Sequence, residues 1–265
     1  MNIRFVLTLL VFCLNFSLFS QNNEGYIKYT AYSGKSSVAS PPNENGYPYE
    51  YIIQEGTLYF NPKSSVYQQL QNKYVTRVQT DSDGNYEKTE VPRDNWDPIG
   101  WVYLKDKSNN YILSRVTYFN RSSYVNVKED LEKISWNITN EKKNIGDYNC
   151  TKATATYKGR NWVVWFTPKI PFQVGPWKLY GLPGAILEAY SENLDFMFKL
   201  KELKIPAEIP SEKFEFPVEE ENMLSLEEYL KTNQQKKDKY LKYMETVARE
   251  NDGSVNIKFY PEIEK

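Results

Sequence analysis

The strongest constraint on how this chain folds is its two-residue hydrophobic period. Leu194, Phe196, Phe198 and Leu200 alternate with Asp195, Met197, Lys199 and Lys201. A strand with one buried face shows this pattern, because successive side chains on a pleated strand point to opposite faces. Similar alternation recurs along most of the chain and breaks at Gly, Asn and Asp, the residues that supply turn conformations. It predicts strands over 25–31, 49–54, 57–61, 74–80, 86–91, 101–104, 111–119, 134–138, 149–157, 161–166 and 194–201, and a last one through Val255, Ile257 and Phe259. Glu55-Gly56, Asp83-Gly84 and Lys158-Gly159-Arg160 read as hairpin turns between neighbouring strands.

Two segments depart from that period. Residues 203–222 carry Pro206, Pro210 and Pro217 and read as an extended connector, since proline cannot donate to a sheet ladder. Ser225-Leu226-Glu227-Glu228 then forms a capping box, in which Ser and Glu satisfy each other's backbone N–H groups. Leu226, Tyr229, Leu230, Tyr240, Leu241, Met244 and Val247 follow at helical spacing to about Glu250. The stretch 232–239 is polar almost all round, so the helix over 225–250 is expected to pack at its two ends and be solvated between them. The fold class is therefore mainly β: a large curved antiparallel sheet (half-barrel, open barrel or sandwich) with one long C-terminal helix. The 22 Tyr and 13 Phe suit such pleated, half-buried surfaces.

The first twenty residues read differently again. Arg4 precedes an almost unbroken apolar run from Phe5 to Phe19, and polar sequence begins at Gln21. This is the pattern of a secretory signal peptide over 1–20, leaving residues 21–265 as a single domain with no transmembrane segment. Cleavage removes Arg4 and Cys13, leaving 32 of the 33 basic residues against 34 acidic ones. The charges are interspersed and form no basic stripe, which argues against a nucleic-acid partner. One cysteine remains, Cys150, so no internal disulfide can form. Its alternating neighbours place it on a buried or half-buried strand.

The chain has no histidine. That absence removes Ser-His-Asp and Cys-His hydrolase chemistry, most zinc catalysis and every histidine base. No cofactor or metal site is expected and no catalytic residue is assigned. Asp81-Ser82-Asp83-Gly84-Asn85 opens like a calcium loop, but Tyr86 stands where a glycine is needed and Pro92 where the closing glutamate should be. Glu219-Glu220-Glu221 reads as a solvated acidic loop. Trp162, Trp165, Trp177 and Tyr180 could form a sugar-stacking platform or belong to the core. Trp162 and Trp165 are three apart, so they face opposite sides of a regular strand. Trp165, Trp177 and Tyr180 remain the candidate binding residues.

The run Trp177-Lys178-Leu179-Tyr180-Gly181-Leu182-Pro183-Gly184-Ala185 holds a Gly-Leu-Pro-Gly knot inside apolar sequence. No G-x-G-x-x-G, Walker lysine or following helix supports a phosphate loop. Pro183 and Gly184 suit the second and third positions of a type II turn between two buried strands. Gly175-Pro176 forms a second corner.

With Gly159-Arg160, Trp165-Phe166-Thr167-Pro168-Lys169-Ile170-Pro171, Gly175-Pro176-Trp177 and Gly181 to Glu188, the chain resembles the GLPGLI family. The upstream segment IGDYNCTKATATYKGR, with Tyr148, Cys150, Lys152 and Ala153, and the opening GYIKY resemble that family as well. Ala185 departs from the leucine of the named pattern. The resemblance implies an exported, strand-rich Bacteroidota protein of the periplasm or outer membrane, in a family without established catalytic residues. Gly175, Pro176, Gly181, Leu182, Pro183 and Gly184 are then motif residues of the fold. No sorting domain is expected after the last strand. The function expected is a non-catalytic binding or carrier module, holding an apolar ligand, a peptide or an outer-membrane protein on a concave aromatic sheet face. The alternatives are a carboxylate-dependent hydrolase of glycans or peptides and a scaffold subunit of an outer-membrane complex.

Overall fold

A computed structural model describes residues 23–35, 50–80, 86–92, 96–119, 123–218 and 223–250. The signal segment, the Asp83-Gly84 turn, the acidic run Glu219-Glu220-Glu221 and the last expected strand lie outside the described residues. Among those described, twelve strands form one open sheet. It runs from β14 (Leu224–Ser225) through β8 (Tyr124–Asp130), β7 (Tyr111–Thr117), β6 (Trp101–Asp106), β3 (Ser64–Gln69) and β2 (Glu50–Phe60). It continues through β1 (Gly25–Lys35), β13 (Phe196–Lys204), β12 (Ala185–Ser191), β11 (Arg160–Thr167) and β10 (Tyr148–Tyr157) to β9 (Asn137–Ile145). Pairing is antiparallel except for the short parallel contact of β14 with β8. A second, two-stranded sheet consists of β4 (Tyr74–Thr80) and β5 (Tyr86–Pro92), in register from Tyr74 opposite Pro92 to Thr80 opposite Tyr86. The helix α1 spans Leu226–Glu250.

The large sheet is strongly curled. Eight strand spacings separate β8 from β11, about 38 Å in a flat sheet. Yet Lys158, on the turn between β10 and β11, places its Nζ 2.5 Å from Oε2 of Glu129 on β8. Register shifts between Lys28 and Tyr29, between Thr151 and Ala153, and between Trp165 and Phe166 supply part of the bend. Such bulges raise the local twist of a sheet. The inner face carries Ile27, Tyr29, Leu58, Phe60, Tyr67, Tyr103, Trp162, Val164 and Phe198, all buried in one core. On the outer side Val66, Val102, Leu104 and Leu113 form a second, smaller cluster. Ion pairs such as Lys28–Glu202 and Lys152–Glu141 occupy solvent-facing positions.

Four local expectations are corrected. Glu55-Gly56 is no turn: β2 runs straight through it, with Gly56 opposite both Tyr29 and Gln69. A Cβ at Gly56 would lie 2.0 Å from the Tyr67 hydroxyl, so the glycine makes room for a ring on the next strand. Leu194 takes φ +60 in the turn before β13 and is not a strand residue. Residues 134–136 are irregular, and the strand expected there begins at Asn137 as the exposed, Lys-rich β9. Finally, α1 buries only Tyr229 and Asn233.

The capping box does form: the Ser225 N–H and Oγ both bond the Glu228 carboxylate at 2.8 Å, and the Glu228 N–H bonds Ser225 Oγ at 3.2 Å. Tyr229 stacks on Tyr118 with centroids 5.7 Å apart, and its hydroxyl donates to the Thr117 carbonyl at 2.9 Å. Asn233 Oδ1 accepts the Phe119 N–H. The helix is thus buried at its N-terminal third; further on Tyr240 packs on Phe119 with ring centroids 5.8 Å apart, while Tyr243 is 63% exposed.

Candidate functional site

Residues 168–184, between β11 and β12, form a long loop without helix or strand, the kind that is either functional or packed by its own side chains. Here it fills the curled sheet. Ile170, Val174, Trp177, Leu179 and Leu182 are at most 2% exposed. A buried loop must satisfy its own backbone, and this one does so with very tight turns. Phe172 N–H bonds the Ile170 carbonyl, Val174 that of Phe172, and Leu179 that of Pro176. Ala185 and Ile186 N–H groups then bond back to Ile170 and Val174.

The knot itself differs from the expected type II turn. Gly184 N–H bonds the Leu182 carbonyl at 2.7 Å, a three-residue turn centred on Pro183, and Gly184 has φ +154. A Cβ there would lie 2.1 Å from the Thr167 carbonyl oxygen, so glycine is required by a close approach as well as by its backbone angle. The chain leading in is loop, not strand; only the exit, β12, is a buried strand. Gly175 is needed for a similar reason, since a Cβ would meet the Leu179 carbonyl at 2.8 Å and Ile186 Cδ1 at 2.9 Å.

Trp177 adopts φ +51, unusual for a bulky residue. That conformation packs its indole 5.3 Å from Trp162 and 5.9 Å from Tyr157, and turns its carbonyl towards Lys105 of β6. Lys105 is fully buried and donates to the carbonyls of Gly175, at 3.2 Å, and Trp177. Burial, and then the charges of Lys107 and Lys178, push its pKa down to about 7. Lys178, also fully buried, donates to Oε1 of Glu129, and Lys158 holds the other oxygen. Glu129 has both oxygens committed to ammonium groups. Lys158 also lies 3.9 Å from Glu132, whose side chain is mostly exposed. The arrangement ties β6, β8 and the β10–β11 turn to the loop: it is a set of struts.

Trp165, Trp177 and Tyr180 do not converge. Trp165 lies on the outer face, covered by Lys143, whose Nζ stands 4.5 Å from the ring centroid and 2.8 Å from Glu188. Trp177 is in the inner core. Tyr180 sits at the rim, its hydroxyl donating to the Glu132 carbonyl while its own carbonyl accepts Trp136 Nε1–H at 2.8 Å. Burial, together with Glu132 and Glu129, raises the Tyr180 phenol to about 12. The inner aromatic face expected to hold an apolar ligand is covered by the chain's own loop, with Tyr29, Phe60, Tyr67 and Trp162 fully buried.

No family model and no curated protein matches the chain. Among solved structures it is similar to PNGF-II in two crystal forms, P21 and C2, with TM-scores of 0.45 and 0.44 and 14% identity in each. The likeness covers 77% and 76% of this chain but only 31% and 30% of those chains, so this chain spans under a third of their length. A TM-score below 0.5 assigns neither site nor function.

Sequence reading missed an exposed aromatic cluster. Ile53, Leu70, Tyr74 and Trp96 are 52%, 43%, 50% and 37% exposed. Asn72 donates to the Ile53 carbonyl at 2.9 Å, and the neighbouring Lys73 lies over the rings of both Tyr74 and Trp96. Trp96 Nε1–H bonds the Gln71 carbonyl at 3.1 Å. The turn that follows is pinned by Asp97, which accepts the N–H groups of Ile99 and Gly100 and both terminal nitrogens of Arg115. Burial would raise the Asp97 carboxyl, but Arg115 and those N–H groups outweigh it and hold the pKa below the ordinary range. Arg115 in turn stacks 3.7 Å over Tyr124. Tyr74 opens the expected strand 74–80, but Trp96 lies outside every alternating run, so no sequence period links the two.

Proposed function

We propose that this chain is an exported, non-catalytic binding module of the bacterial cell envelope, belonging to the GLPGLI family that its motifs resemble. The observation that carries the reading is the loop 168–184. It fills the inner face of the sheet, and the buried charges there are spent on holding it. Contacts with other molecules are then made from outer surfaces, and the chain works as a binding module or scaffold of the periplasm or outer membrane, not as a carrier with an interior cargo. The signal segment over 1–20 supports export.

Cross-linking and co-purification from the native envelope test this, alongside native mass spectrometry of the purified protein. The expected result is a recurrent envelope partner and a mass equal to that of the bare mature chain. A tightly held lipid or peptide in the native spectrum would replace the binding-module reading with a carrier.

A further inference from the structure

The exposed cluster around Trp96 is built as a site. Lys73 Nζ lies 5.9 Å from the Tyr74 ring centroid and 5.4 Å from that of Trp96. One ammonium thus lies within cation–π range of both rings, which places the two aromatic side chains around a common exposed point. Among the described residues Lys73 has no carboxylate partner. Trp96 is mounted rigidly: its indole N–H is bonded to Gln71, and the next residue is the Asp97 clamped by Arg115. Trp96 is 37% exposed and held firmly, and preorganised aromatic anchors of this kind are what binding surfaces use.

Size and chemistry indicate the ligand. Four partly exposed side chains offer far less than the roughly 800 Å² per partner of a stable protein interface. The patch suits a ligand of one or two rings. A pyranose has a C–H face that lies on an aromatic ring and a polar rim, and the Lys73 ammonium adds a point of attachment for an anion. We infer that Tyr74, Trp96 and Lys73 form a binding site for an acidic saccharide, a pyranose bearing a carboxylate, with the sugar face on the rings and the carboxylate on Lys73. The inference rests on the binding-module reading above and gives that module its ligand class.

Isothermal titration of the mature protein with tetragalacturonate, and with cellotetraose as its neutral counterpart, tests the site. The expected result is binding of tetragalacturonate that weakens at least tenfold in Trp96→Ala and in Tyr74→Ala, and less in Trp96→Phe. Lys73→Glu should remove the preference for the acidic probe without altering the thermal melt, which keeps the test valid if an aromatic variant folds poorly. Absence of tetragalacturonate binding, equal affinity in Trp96→Ala and Lys73→Glu, or cellotetraose binding as tightly would overturn the inference. Envelope cross-links retained at full yield in Trp96→Ala, with no saccharide bound, would leave the binding module standing and remove this site alone.

Discussion

Gly184 shows how much can rest on one missing Cβ. The residue combines a positive φ with a carbonyl 2.1 Å from where a side chain would begin. Gly184→Ala should therefore destabilise the protein by about 2 kcal/mol or more, read by chemical denaturation; an unchanged midpoint would show that the loop is not closed as described. Cys150 makes the opposite point, a reactive residue type rendered inert. It is fully buried on β10, and burial raises its thiol to about 11. Native protein should accordingly resist a thiol reagent at neutral pH and react at once when unfolded. Lys105 carries the pH dependence. Its folded pKa of about 7 is well below its ordinary 10.5, so above pH 7 the unfolded chain binds more protons than the folded one. Stability should rise from pH 7 to about 8, before an unfolded Cys150 thiol, with an ordinary pKa of about 8.5, ionises and opposes the trend. Lys105→Met should flatten that rise, and a persistent slope in the variant would assign it to other groups.

At the scale of elements, α1 depends on its first turn. Ser225→Ala removes the hydroxyl that accepts the Glu228 N–H and should cost about 1 kcal/mol, seen as a lower melting temperature. This element was legible because a capping box is a local signal, fully contained in four residues. The first strand was legible for the same reason, since every second residue from Gly25 to Ala31 is buried, whereas β7 is buried continuously from Ile112 to Val116 and carries no such period. The polar edge strand β9 was not legible, since its pattern is exposed nearly throughout and hydrogen bonding to β10 alone makes it a strand. Gly56 misled because glycine between alternating runs signals a turn, whereas here it answers a tyrosine on a neighbouring strand. The candidate site was the least legible. Trp165, Trp177 and Tyr180 cluster in sequence but part in space, and Trp96 meets Tyr74 only through a non-local turn held by Arg115.

At the scale of the molecule, the curl of the sheet and the loop inside it depend on each other. An open sheet with a deeply apolar inner face would bind nonspecifically or aggregate; the loop supplies the missing layer of the core. Its struts reach β6 through Lys105 and β8 through Lys178, so the loop also sets how far the sheet closes. The β4–β5 hairpin stands outside this unit as a separate two-stranded sheet, a form that is marginal on its own. Amide hydrogen exchange reads the difference directly. The account predicts that the amides of Leu179, Ala185 and Ile186, bonded within the loop and back to it, exchange only as slowly as global unfolding allows, while the hairpin exchanges much faster. Exchange of those loop amides within the dead time, like an ordinary surface loop, would contradict the claim that this segment is the core of the sheet.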